Sequence, residues 1–440
     1  MMDLLSAPRE FFSTSGILQN PGLQKIFPPK LIDLAIESHI VYLEKKPLER
    51  DEPFFIADLG QVTRQHRRWK QNLPEVHPYY AVKCNSDPTL LKCLADLGAG
   101  FDCASVQEMQ TVLNLGIDPA FVLFANPCKS PISMDFARQV GVTRTTFDNF
   151  DELEKIKLHL PNAELLLRIY ASDESALICL GDKFGAPLDT TEDLLLRAWD
   201  LQLNVVGVSF HVGTGASDSA AFCQAIKDAR HVLSLAKRQG FNPTVLDIGG
   251  GFQDSHFESM ASIVTKAIRE QFPSGVTVIA EPGRYYARGA YTLVSQVIAR
   301  RCQVGKQAAA GVPDMLYQND GVYGNFMNVI MEKEKMDPCL FLGKRSKEES
   351  PVKTTPTPDK DKIHSPQTAA AGHRYSIWGP TCDSTDCVVR EMAFDSEVKV
   401  GDWLIYRNMG AYTLTTATRF NGFNHAQNIL YVNSETMANY

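Results

Sequence analysis

The stretch Tyr79-Tyr80-Ala81-Val82-Lys83-Cys84-Asn85 decides how this chain is read. Its apolar, aromatic residues have the pattern of a buried strand, and the run ends on a single lysine. Burying an unpaired ammonium group is costly. A lysine in such a place reaches solvent at the strand end, pairs with a carboxylate, or carries a lowered pKa that makes the amine reactive. For an isolated lysine the first reading is the ordinary one. The segments on either side change that balance.

Working outward, short apolar runs alternate with helical patterns from about Phe54 to Tyr291. Strands are predicted at Phe54–Leu59, Tyr79–Lys83, Gly100–Asp102, Phe121–Phe124, Thr145–Phe147, Glu164–Arg168, Val205–His211, Thr244–Ile248 and Thr277–Glu281. Helical segments such as Pro88–Leu97, Ser105–Leu115 and Ala220–Gln239 separate most of them. Repeated strand–helix units over this length predict an α/β fold, a parallel (β/α)8 barrel of ~250 residues. Chemistry in such a barrel sits at the C-terminal ends of the strands. Lys83, Asp102, Asn126, Arg168, His211, Gly249–Gly251 and Glu281 all fall there.

After Tyr291 the pattern turns to strands with few helices between them: Tyr291–Ala299, Met315–Asn319, Trp403–Tyr406 and Ile429–Val432. The expected organisation is an N-terminal segment (1–53) that joins a C-terminal β domain (292–440), a β-sandwich or β-barrel, with the α/β barrel (54–291) between them. Gly343–Gly372, rich in Lys, Ser, Pro and Thr, reads as a disordered insertion.

The bulk properties agree with two domains. A chain of 440 residues exceeds one ordinary core. A net charge of −7 argues against a general nucleic-acid binder. No stretch approaches the roughly 20 apolar residues of a membrane span, and the N-terminus lacks a secretory pattern. Ten scattered cysteines without CxxC spacing read as reduced thiols of a cytoplasmic protein with no metal site. Arg64, Arg67, Arg68 and Lys70 read as the solvated face of a helix.

Three further segments bear on Lys83. In Asp247-Ile248-Gly249-Gly250-Gly251-Phe252, consecutive glycines let backbone N–H groups approach an anion; a plain tight turn is the alternative, and the absence of GxGxxG disfavours a dinucleotide site. In Ala280-Glu281-Pro282-Gly283-Arg284-Tyr285, Arg284 could grip a phosphate and Glu281 hold a proton on a ring nitrogen, where a surface ion pair is the bland reading. In Ser209-Phe210-His211-Val212-Gly213-Thr214-Gly215, the imidazole could stack on an aromatic ring, where a satisfied core histidine is the commoner case. An amine, a ring-nitrogen partner, a stacking ring and a phosphate cup together make the set that pyridoxal 5'-phosphate requires.

The motifs YYAVKCN, GFDCAS, ANPCK, RIYASDESA, DKFGAP, SFHVGTG, LDIGGGF, AEPGRYY, NDGVYGNF, GPTCDSTD and NMGAYT, in this order, resemble the eukaryotic ornithine decarboxylase family, pyridoxal phosphate enzymes of the alanine-racemase-like fold. The resemblance runs from about Phe54 to Val432, the insertion excepted. It implies that Lys83 carries the cofactor as a Schiff base, that Glu281 faces the pyridine nitrogen and that His211 stacks on the ring. Asp102 and Arg168 match further cofactor positions, and Glu108 one near the lysine. Thr214, Gly250, Gly251, Gly283, Arg284 and Tyr412 would surround the phosphate, although the family usually has Ser at the Thr214 position. Cys382 would protonate the product carbon, and Asp383, Glu332 and Tyr323 would contact the substrate. The resemblance also implies a homodimer with shared active sites, in which Lys183, Asp386 and Asp148 lie at the subunit contact, and an antizyme-like regulator as a partner.

One departure matters. Where the family usually has Tyr-Asp after NDGVYGNF, this chain has Met331-Glu332. Glu332 keeps the negative charge that meets a cationic amino-acid substrate but moves it by one methylene, and Met331 removes a phenol. The expected reaction is decarboxylation of ornithine to putrescine, a polyamine precursor. The alternatives are a modified diamino acid of alkaloid or other specialised metabolism, lysine or arginine, and, in another class, a catalytically inactive regulator. Retention of Lys83, His211, Glu281, Arg284, Cys382 and Asp383 disfavours the inactive regulator.

Overall fold

The structure is a computed structural model that describes residues 28–46, 52–171, 183–213, 219–272, 275–341, 372–423 and 428–435. Thr214 and nearly all of the Gly343–Gly372 insertion lie outside the described residues. The chain divides into two compact units, one built on Leu59–Ala290 with Gly410–Thr415, the other on the remaining segments.

The barrel begins one strand later than the sequence pattern suggests. Strand β1 (Phe54–Asp58) pairs antiparallel with residues Tyr291–Val294 and parallel with Ile429–Val432, in the second unit. All five of its residues are buried, and an apolar run of that length satisfies either sheet equally well. The barrel is closed by β2 (Val76–Ala81), β3 (Gly100–Cys103), β4 (Val122–Phe124), β5 (Arg144–Phe147), β6 (Glu164–Arg168), β7 (Asn204–Ser209), β8 (Val245–Asp247) and β9 (Thr277–Ala280), all parallel, with β9 returning to β2 through Val76↔Val278. Tyr79, Leu123, Leu166 and Val245, one from every second strand, meet in a single buried cluster. That is the layered interior of such a barrel, and truncating Leu166 to Ala would cost about 2–5 kcal/mol.

Helix caps fix the loops above the strand ends. Asp87 accepts from Thr89 N–H and, with Pro88, starts helix Pro88–Asp96. Ser105 Oγ accepts from Glu108 N–H while Glu108 Oε2 accepts from Ala104 N–H, and helix Val106–Leu113 starts there. Lys129 is fully buried, ion-paired with Glu152 at 2.7 Å, and donates to the carbonyls of Asn126 and Thr146, which ties the ends of β4 and β5. Asn126 accepts from Cys128 N–H and so shapes this turn.

The second unit is an eight-stranded sheet. Its strands, besides β1, are β10 (Tyr291–Arg301), β11 (Asp314–Gln318), β12 (Cys339–Phe341), β13 (His373–Trp378), β14 (Cys387–Phe394), β15 (Trp403–Tyr406) and β16 (Ile429–Val432), in the order β12-β15-β10-β11-β13-β14, with β1 branching from β10 and β16 pairing with β1. The first half of β10 pairs with β1 and β15, and the half beyond Val297 pairs with β11 across a register shift. Helix Pro28–Leu43 places Leu31, Ile36, Ile40 and Leu43 against Phe54, Ile56, Val294 and Trp403. The sequence pattern missed β12, β13 and β14. They are short or carry charged, exposed positions such as Arg374, Arg390 and Glu391, which break a clean alternation.

Candidate active site

Lys83 stands just beyond its strand: β2 ends at Ala81, and Val82–Cys84 form a 3-10 turn that turns the lysine outward. Its Nζ lies 3.5 Å from Asp102 Oδ2 on the neighbouring β3, and its side chain keeps 46 % exposure while Asp102 keeps 2 %. The Asp102 carboxylate holds the ammonium well above its ordinary pKa, against the opposing effect of burial. Lys83 lines a cavity together with Ala81, His211, Gly250, Gly251, Phe252, Glu281, Gly283, Arg284 and Tyr412. The barrel unit thus gathers residues from the loops after β2, β7, β8 and β9 and from the returning segment Gly410–Thr415.

Two glycines have no substitute here. A Cβ on Gly250 would sit 2.7 Å from His211 Nε2 and 2.9 Å from Glu281 O, and Gly249, at φ +64°, would press one 2.2 Å from Phe210 O. The loop therefore passes as bare backbone under the imidazole. Glu281 N–H donates to Gly249 O at 2.7 Å and joins this loop to the one after β9. Arg284 is buried with its guanidinium carbon 5.1 Å from the Tyr412 ring centroid. Tyr412 adopts φ +54°, strained for a non-glycine residue, and its N–H donates to Cys84 O at 2.9 Å.

Three buried carboxyl groups, Asp102, Asp247 and Glu281, share this end of the barrel. Burial, then the charges of Asp247 and Asp102, push the Glu281 carboxyl well above the usual range. Asp247 is pushed up to about 7, mainly by burial, with its Oδ1 accepting from Gly249 N–H at 2.9 Å. Such a cluster accommodates a cationic group and favours holding its proton. His211 is driven well below its ordinary pKa by burial and by the charges of Arg168 and Lys83, so its ring is neutral. Arg168 ends β6 and lies over the Phe184 ring, with Lys183 over the same ring. Glu108 is raised by burial. Asp148 accepts from Gly185 N–H and Asn149 Nδ2.

Other expected site residues belong to the second unit. Asp383 Oδ1 accepts from Thr385 N–H and Oγ1, both at 2.7 Å, and these bonds hold its carboxyl below the ordinary range. Tyr323 stacks on Phe420 and its hydroxyl meets Thr385 Oγ1 at 3.2 Å. Cys382 is exposed, and its N–H donates to Asn421 Oδ1. Glu332 is buried at the end of helix Met327–Met331, whereas Met331 is exposed. Asp386, expected at a subunit contact, is 1 % exposed within its own chain. Its carboxylate accepts from Val322 N–H, Thr381 N–H and Thr381 Oγ1, and it fits only because Gly321 and Gly379 lack a Cβ.

Asp247 was legible in the sequence but not singled out: an acid ending a buried strand carries the same signal that marked Lys83. Phe252, which lines the cavity, had no chemical signal at all.

The family model for the pyridoxal binding domain of pyridoxal-dependent decarboxylases matches residues 59–288. An ornithine decarboxylase of Neurospora crassa is 44 % identical over 434 residues, covering 93 % of this chain and 87 % of that protein. Decarboxylase flvG of Aspergillus flavus is 42 % identical, with 89 % of this chain and 88 % of the relative covered. Among solved structures, the arginine decarboxylase of Paramecium bursaria Chlorella virus aligns with a TM-score of 0.76 and 34 % identity, over 87 % of this chain and 96 % of that one.

Proposed function

This chain belongs to the pyridoxal-dependent decarboxylases of the eukaryotic ornithine decarboxylase family, and from that premise we propose that it decarboxylates ornithine or a close diamino acid at the barrel cavity. Pyridoxal phosphate is the cofactor of this family, and the residues present fit it: a buried carboxyl cluster for a cationic ring nitrogen, a bare-backbone loop, and a buried arginine. The observation that carries the reading is the presence of Lys83, Glu281, Gly250–Gly251 and Arg284 in one cavity lining.

When bound, pyridoxal phosphate supplies a ring that takes up the electron pair left behind by a departing carboxyl group. On this reading Lys83 would hold the cofactor covalently through Nζ, with the Asp102 carboxylate beside it. Glu281 would keep a proton at the ring nitrogen. His211, being neutral and flat, would pack against the ring. Gly251, Gly283, Arg284, Tyr412 and Thr214 bind the phosphate. Glu332 and Asp383 hold the distal ammonium of the substrate, with Tyr323 beside Asp383, and Cys382 delivers a proton to the carbon that lost CO2.

Met331-Glu332 supports a second reading, a modified diamino acid, because the carboxylate is moved by one methylene from the family's usual aspartate and Met331 supplies no phenol. CO2 release measured over ornithine, lysine, arginine and N-alkylated diamino acids decides between them. Ornithine turned over with the highest kcat/KM supports the first reading; release from none of them overturns both.

We further infer a homodimer with shared sites in the cytoplasm, and regulation by an antizyme-like protein. Its support is the match of Cys382, Asp383, Lys183 and Asp148 to the family's interface positions; Asp386 matches one too but is buried within its own chain. Among the described residues no helix is long and apolar enough to cross a membrane. Mixing Lys83→Ala with Cys382→Ala subunits should restore part of the activity. No recovery despite proven subunit exchange would count against shared sites.

A further inference from the structure

Gln65 lies on helix Leu59–Asn72, outside every motif that marks the cofactor site, and is 5 % exposed. Its side-chain amide donates to two segments whose neighbouring residues line the cavity. Nε2 donates at 3.0 Å to Asp254 Oδ1, three residues beyond Gly251, and at 3.0 Å to Tyr285 O, the residue after Arg284. The Tyr285 hydroxyl returns a bond to Gln65 O at 3.0 Å. Arg68, one turn along the helix, ion-pairs with Asp254 and Glu258, donates to Asp254 O at 3.1 Å, and reaches Gln65 Oε1 at 3.5 Å.

These bonds form a brace. At the strand ends the loops after β8 and β9 are joined by Glu281 N–H to Gly249 O. Farther along the chain they would part, since Asp254 is largely exposed and has no strand to follow. One amide with two donors links them there, and its own oxygen is fixed by Arg68. Phe252, inside the braced loop, packs on Trp69 from the same helix and on Phe257. The arrangement fixes the separation between Gly251 and Arg284.

We infer that Gln65 is a positioning residue that sets the phosphate-binding geometry of the cofactor site by tying the Gly249–Asp254 loop to the short helix Arg284–Ala287 that follows Gly283. This rests on the reading above that these segments take the cofactor's phosphate. A phosphate cup is sensitive to such a brace because several N–H groups and a guanidinium must converge on one tetrahedral anion. On that reading the rest of the cofactor would meet Lys83, His211 and Glu281, none of which is among Gln65's hydrogen-bond partners.

The test compares pyridoxal phosphate with pyridoxal, which lacks the phosphate, by absorbance titration of the cofactor-free protein. Gln65→Leu should weaken pyridoxal phosphate by about tenfold, the loss of a well-made bond pair, and leave pyridoxal unchanged. Gln65→Lys supplies donors to both acceptors and should restore most of the discrimination. Asp254→Ala, at an exposed position that tolerates truncation, should lose discrimination in the same direction and stands in if Gln65→Leu does not fold. Equal weakening of both ligands in these variants would mean a general structural role and overturn the inference. Arg284→Ala separates the inference from its premise. Discrimination lost in Arg284→Ala but intact in Gln65→Leu and Asp254→Ala overturns the brace alone, whereas discrimination intact in all three overturns the phosphate assignment itself.

Discussion

The backbone N–H of Gly213 donates to Nδ1 of His211 across 3.0 Å, which leaves the proton of the neutral imidazole on Nε2. Two residues in one loop therefore set the tautomer of the ring that faces Gly250. A buried histidine whose pKa lies below 6.5 stays neutral through the physiological range. Nitrogen-15 NMR of the cofactor-free protein should show Nδ1 as an acceptor nitrogen and Nε2 as a protonated one, unchanged from pH 8 to pH 6. A protonation step in that interval would show that the ring is charged near neutrality.

The Lys83–Asp102 pair makes cofactor uptake pH-dependent. Free amine, the form that condenses with an aldehyde, grows with pH, and Asp102 raises the amine's pKa. Uptake of pyridoxal phosphate by the cofactor-free protein should speed up with rising pH, and Asp102→Asn should bring that rise to lower pH. Lys83→Ala should yield no borohydride-trapped adduct. A trapped adduct on another lysine would refute the assignment.

Asp247 bears on stability without the cofactor. Its folded pKa is raised from 3.8 to about 7, so between these values the folded protein holds more proton than the unfolded chain. Stability is then full below the unfolded pKa and falls as pH rises toward 7, by up to about 1.4 kcal/mol per pH unit for one proton. Denaturant midpoints of the cofactor-free protein should fall from pH 4.5 to 7 and flatten in Asp247→Asn. An identical slope in both proteins would place the titration elsewhere.

Lys129 offers a test of the scaffold. It is desolvated, paired with Glu152, and bonded to the carbonyls of Asn126, in the loop after β4, and Thr146, in β5. Lys129→Met leaves those acceptors without their donor and should destabilise by about 3–5 kcal/mol, read from urea unfolding. A change under 1 kcal/mol would mean that the packed methionine compensates fully.

Glu332 is the sharpest probe of substrate choice. A charge-assisted bond to a buried ammonium contributes roughly 1.5–3 kcal/mol. Glu332→Gln should therefore lower kcat/KM by about one to two orders of magnitude with cofactor content unchanged. Glu332→Asp should gain ornithine activity relative to the preferred substrate if the extra methylene tunes the pocket. Wild-type kinetics in Glu332→Gln on every diamino acid would remove this residue from recognition.

Much of the barrel could be read directly because its strands are short, largely buried runs separated by helical patterns, so Asp102, Arg168, His211 and Glu281 stood out at their ends. Phe54–Asp58 could not be placed because five buried residues carry no mark of which sheet buries them. Arg68 lies on the helix surface as its charge pattern predicts, but what the pattern does not show is its pairing there with Asp254 and Glu258, 186 and 190 residues away. Gln65 likewise works through partners at separations of 189 and 220. A neutral amide with distant partners leaves no local periodicity or charge pattern to detect.

Tyr412 carries one last consequence. The barrel's strands are all encoded before residue 290, but the aromatic ring beside Arg284 arrives on Gly410–Thr415, after the chain has passed through β10 to β15. During N-to-C synthesis the eight-stranded cylinder can emerge from the ribosome whole while its ligand cradle still lacks a wall. The cavity that Tyr412 helps to line is therefore complete only once the intervening sheet has been made, and a message truncated before codon 410 would yield a barrel without that part of its lining.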